Sequence, residues 1–188
     1  MEFAFLISTT LLMAYALLAV YDGVFLHLYK FRLYDQKESR FEHLTHTVRA
    51  LLFVGILLTV FINIENNNLF LLGLTLVLLD IITLLIDAYV EKDSRVFMGG
   101  LPRWEYIIHL LVNGFHFASI TSLLIIKIKF TDLGISLNNN LHVFKNFEFF
   151  KLVAVNLLPG AIIISILHIL VYNIKFKKYI NTLKINCC

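Results

Sequence analysis

Histidines and carboxylates recur at helical spacing in this chain, where long apolar runs meet polar connections. Glu42 and His46 are four residues apart, as are Glu105 and His109, and Asp87 and Glu91, while His43 and His46 are three apart. Residues three or four apart share one face of a helix, so each pair offers two oxygen or nitrogen ligands in one direction. Asp22 and His27 stand at the end of the first apolar run. Imidazole combined with carboxylate on the inward faces of a bundle is the donor set of di-iron and di-manganese sites, and zinc accepts the same groups. Asp22, His27, His43, His46, Asp87, Glu91, Glu105 and His109 therefore form a pool of metal ligands. Glu42 is a candidate base or additional ligand. Asp80 lies seven residues before Asp87, and His116 seven after His109, which puts both about 10 Å deeper at ~1.5 Å rise per residue. Their helices run antiparallel, so the two can meet as outer-sphere partners or a proton path.

Burial makes these residues informative. A charged side chain at the centre of a spanning helix costs about 2.5–3.5 kcal/mol on insertion scales. Asp22, Asp80 and Asp87 fall in or at the ends of apolar runs, and Arg49 is the fixed cation within them. The negative excess calls for protonated histidines or a bound cation. Arg49 could also clamp two helices by pairing with Asp22 or Asp87.

The elements that must position these groups are membrane helices. Of 188 residues, 59% are hydrophobic and 15% charged, against about 25% charged in a soluble domain. The expected fold is all-α: a single domain, 1–188, forming a polytopic membrane helical bundle. A crossing needs about 20 apolar residues, and five runs qualify, roughly 3–28, 44–64, 69–90, 104–126 and 152–174. The first lacks a basic leading region and exceeds the ~7–15 residues of a signal-peptide core, so it is read as a span. Glu65-Asn66-Asn67-Asn68 makes a tight turn, pairing the second and third runs as a hairpin. Phe144, Phe147, Phe149 and Phe150 suit an aromatic belt at the interface, and Pro159-Gly160 suits a kink in the fifth helix. No strand is expected. Eleven Lys and Arg residues fall on the side reached by residues 28–43 and four on the other, which places the C-terminus in the cytosol and the N-terminus outside. All the candidate ligands then gather at the cytosolic end. The expected location is a bacterial inner membrane or a eukaryotic endomembrane.

Function follows from this placement. The expectation is a membrane metalloprotein, an iron- or manganese-dependent oxidoreductase with iron favoured over zinc or manganese, acting on a lipid or other apolar substrate. A redox partner or a second copy of the chain would be its protein partners. A zinc-dependent hydrolase, a proton-coupled transporter, a b-type haem protein and a structural subunit are the alternatives. The chain has one H-x-x-H and no adjacent His pair, unlike the multiple clusters of membrane fatty-acid desaturases, and its Glu–His spacing is one residue longer than in the soluble di-iron proteins. A net charge of +3 without a basic, aromatic-laced run argues against nucleic acid. Ser39 lacks the G-x-S-x-G context of a nucleophile. Cys187 and Cys188 are adjacent, so they form no disulfide framework; a terminal Cys pair is also a lipidation pattern, which adds little to five spans.

Overall fold

The computed structural model describes residues 2–132 and 134–182; Lys184, Cys187 and Cys188 lie outside them. Five helices are long and apolar enough to cross a membrane, Phe3–Lys30, Arg40–Ile62, Asn67–Met98, Arg103–Lys127 and Phe147–Leu170. The first is α1 (Glu2–Ala19), which runs without a break into a π-helical stretch, Val20–Lys30. Helix α2 (Arg40–Ile56) likewise passes into a π-helical end, Leu57–Ile62. Helix α3 (Asn67–Ser94) is followed by a 3₁₀ turn, Val96–Met98. Helices α4 (Arg103–Lys127) and α5 (Phe147–Leu170) complete the spans, and a short polar helix, α6 (Ile174–Thr182), follows.

Two element ends differ from the sequence expectation in ways that matter for the site. Helix α2 begins at Arg40, so Glu42 and His43 are already helical and buried. Helix α3 continues to Ser94, which brings Arg95 back into the bundle. The connection after α4 also contains strands where none was expected: β1 (Ile128–Thr131) and β2 (Gly134–Leu137) pair as an antiparallel hairpin.

Helix α1 packs on α4 and α5, and α2 packs on α3 and α5. Helices α3 and α4 meet instead through polar side chains, described below. The apolar core fills the half of the bundle away from His27, His46 and His109. Phe5 and Leu12 of α1, Ile56 to Phe61 of α2, Phe70 of α3, Leu123 of α4 and Phe150 of α5 belong to it. Phe147 and Phe150 do not form an interfacial belt. They are buried, with ring centroids 5.5 and 5.3 Å from that of Phe5, and of the three phenylalanines at the start of α5 only Phe149 faces outward.

Both asparagine runs serve the connections at that end. Asn66 caps α3, its side chain accepting from the backbone of Asn68 and Leu69. The fully buried Lys127 ammonium donates to Asn67 Oδ1 at 2.9 Å, the Asn138 carbonyl at 3.1 Å and Asn139 Oδ1 at 2.8 Å. Glu65 Oε1 accepts from the Leu141 and His142 amides and meets His142 Nδ1 at 3.0 Å. Partial burial opposes ionisation of Glu65, but those hydrogen bonds hold its carboxyl below the usual range. Three strands of chain are thus tied to the α2–α3 turn.

The α2–α3 hairpin closes on Gly73. A Cβ there would lie 2.5 Å from Val60 Cγ2 and 2.6 Å from Thr59 Oγ1, and both neighbours are β-branched and stiff. Gly73→Ala should therefore lower stability by about 1–3 kcal/mol, whereas Gly114→Ala, with open space around its Cβ, should not. Unfolding midpoints in detergent check this.

Candidate metal centre

The π-helical end of α1 explains how Asp22 and His27 cooperate. Five residues apart, they would fall on divergent faces of an α-helix. An i→i+5 ladder stacks them one above the other, and His27 Nε2 lies 3.4 Å from Asp22 Oδ1. Helices α2, α3 and α4 bring their polar ends to the same level. His46 Nε2 is 3.4 Å from Asp87 Oδ2 and 3.6 Å from Glu42 Oε1. His109 Nε2 is 3.0 Å from Asp22 Oδ1, and its Nδ1 meets Glu91 Oε1. The rings of His27 and His46 lie 4.2 Å apart, and those of His27 and His109 5.4 Å apart.

Two ligand groups emerge. Asp22, His27 and His109 each offer an atom within 4.8 Å of the others, and so do His27, Glu42 and His46. His27 is common to both and fully buried. Several ligand atoms, including His27 Nδ1, Glu42 Oε1, His46 Nε2 and Glu105 Oε2, are buried without a hydrogen-bond partner among the described residues. This donor set fits a divalent cation.

Arg95, treated as a connection charge from sequence, is the main addition to this picture. Its side chain is fully buried and forks between two carboxylates. Nη1 donates to Glu42 Oε2, while Nε and Nη2 donate to Glu105 Oε1 at 3.0 and 2.6 Å. Nη2 also lies 3.4 Å from His27 Nε2. Glu42 is held by Oε2 and sets Oε1 towards His46, whereas Glu105 Oε1 is held by Arg95 and lies 3.8 Å from His27 Nε2; such outer partners orient metal ligands. Ser94 Oγ donates to Glu42 Oε2, and Thr45 Oγ1 to Asp87 Oδ1. The signal available beforehand was spacing alone: Arg95 lies four residues after Glu91, on a helix taken to end too early.

Two other residues fall elsewhere. His43 turns from the cluster towards α5, its Nε2 3.3 Å from the His168 carbonyl and its ring stacked on His168 at 5.2 Å. Arg49 does not pair with Asp22, but its Nη1 lies 4.0 Å from Asp87 Oδ2. It donates to Asp80 Oδ1 at 3.0 Å and to Asn113 Oδ1 at 2.7 Å. His116 Nε2 lies 3.2 Å from Asp80 Oδ2, so Asp80 and His116 do meet, one layer deeper.

A cavity of about 140 Å³ lies between α1, α2 and α5, with His46, Arg49 and His168 in its wall. A second cleft separates α3 from α4 and is bordered by Asp87, Glu91, His109 and Asn113. His46 borders both. Comparison with protein families, curated proteins and solved structures finds no match to this chain.

Removing one partner of a buried ion pair leaves an uncompensated charge and costs about 3–5 kcal/mol. Arg95→Met should destabilise the protein by that order. Adding Glu105→Gln to it should recover part of the loss, because the second change removes one stranded carboxylate. A double-mutant cycle on unfolding free energies measures the coupling.

Proposed function

We propose that the protein is a metal-dependent membrane oxidoreductase acting on a lipid or other apolar substrate. Charge carries this reading. Six buried carboxylates, those of Asp22, Glu42, Asp80, Asp87, Glu91 and Glu105, face two guanidiniums, Arg49 and Arg95. With the histidines neutral, as metal ligands must be, these groups leave four negative charges in a region of low dielectric. Two divalent cations would balance them.

Asp22, His27, Glu42, His46 and His109 would hold the metal. Asp87 and Glu91 stand beside His46 and His109 and would complete or orient the shell. Arg95 fixes Glu42 and Glu105. Asp80 and His116 would hold a proton beneath the centre, with Arg49 and Asn113 keeping the pair in place. A bound redox-active ion would exchange electrons with the substrate, and a separate redox partner would restore them. Mixed imidazole and carboxylate donors favour iron, with manganese next. The basic residues at this end of the bundle favour a cytosol-facing site. A second reading, a zinc hydrolase, is supported by the group size: three protein ligands are the usual complement of a catalytic zinc.

Elemental analysis with an absorption spectrum of the purified protein tests both. Two divalent ions per chain are expected, with a coloured spectrum for iron and none for zinc. His27→Ala should lose most of the metal, since it removes a ligand from both groups. His43→Ala should keep it. Wild-type protein without stoichiometric metal would end both readings.

A further inference from the structure

The cavity between α1, α2 and α5 has two features that the metal reading does not use. Its walls are cut from small residues. Ala16, Ala19 and Gly23 line it from α1, Ala50 from α2, and Gly160 and Ala161 from α5. It also contains a buried histidine with no task. His168 is 1% exposed, and neither ring nitrogen has a hydrogen-bond partner among the described residues. Gly23 faces it: a Cβ there would stand 3.5 Å from His168 Nε2, in ordinary van der Waals contact.

A buried imidazole without a partner costs free energy unless something hydrogen-bonds to it. The cavity supplies the place for that partner. Its wall is mostly apolar, with Arg49 and Asp80 paired on one side, and it is polar at the end where His168 and His46 stand. The mouth lies between Val20 and Gly160, both exposed on the outer faces of α1 and α5. A Cβ on Gly160 would meet nothing within 4 Å, so the opening faces the bilayer. The α3–α4 cleft differs, being bordered by Asp87, Glu91 and His109, which suits ions and water rather than hydrocarbon.

We propose that this cavity takes one aliphatic chain of a membrane lipid, entering sideways between α1 and α5. Its hydroxyl or carbonyl end is hydrogen-bonded by His168 and set beside His46. This deepens the proposed function and, as a substrate assignment, rests on it. The occupant is a single chain because a cavity of about 140 Å³ leaves no room for a second. His168 is a positioning residue for the chain's polar end, and His46 links that end to the cluster.

The test uses the full chain in phosphatidylcholine nanodiscs, which avoids competition from single-chain detergents. The probe is a sixteen-carbon alcohol carrying a photoreactive diazirine in its chain. Labelling should map to the cavity-lining residues Ala16, Ala19, Gly23, Leu157, Ala161 and Ile164. Ala161→Trp or, independently, Ala16→Phe should suppress it while leaving metal content unchanged. His168→Leu, or a probe lacking the hydroxyl, should reduce labelling about fivefold, the worth of one hydrogen bond. Labelling confined to outward residues such as Leu17 and Ile163, unaffected by either plug, would overturn the proposal. Metal without cavity labelling also overturns it. Cavity labelling in a protein without metal would sink the metal centre and leave the chain site standing.

Discussion

An excess of carboxylate in a region that excludes water is the constraint on which the rest of this bundle depends. Each ionised group taken from water into protein costs several kcal/mol unless it gains a partner. Arg95 and Arg49 supply two partners and reach two layers: Arg95 joins Glu42 and Glu105 at the helix ends, and Arg49 joins Asp80 and Asn113 deeper in. These bridges also do the work of packing between α3 and α4. Asp80 with His116, Glu91 with His109, and Arg95 with Glu105 tie the two helices where ridge-and-groove contact is sparse. A cluster that holds helices together by charge must be nearly neutral as a whole, and the remaining negative charge is what a divalent cation would cancel.

The fold divides this task from ordinary stability. Phenylalanine and aliphatic side chains fill the half of the bundle around Phe5, Phe61 and Phe150, and Lys127 with Glu65 secures the connections there. That half can hold the helices in register while the other half keeps converging polar atoms. The π-helical stretch of α1 sits in the second half. Its wider ladder aligns Asp22 with His27 at the cost of poorer helix geometry. Glycine at 23 and alanines at 16 and 19 keep the same helix thin beside α5, so one segment shapes both the cluster and the cavity.

Much of this was legible in the sequence. Spacing of four placed Glu42 with His46, and counting turns from Asp87 and His109 placed Asp80 near His116, whereas Glu105 and His109, also four apart, take separate partners in Arg95 and Asp22. Five apolar runs gave the spans because hydrocarbon thickness fixes their length. What the sequence hid has physical causes. A π-helix has no residue signature, so the five-residue spacing of Asp22 and His27 carried no meaning. Arg95 looked solvated because the polar residues Glu91 to Ser94 resemble a loop, yet they extend α3 and turn the guanidinium inward. His43 shares a helical face with His46 only loosely, and the stacking of His168 draws it towards α5. The partner of a histidine on a distant helix cannot be read from local spacing.

The central claim is that His27 stands at the junction of two cation sites. Anomalous diffraction from crystals of the protein, collected on either side of the iron absorption edge, tests it most directly. The account predicts two peaks, both at bonding distance from the cluster, one beside Asp22 and His109 and the other beside Glu42 and His46, with His27 between them. A map without peaks at any first-row metal edge, in which protonated histidines pair directly with the carboxylates, would contradict it.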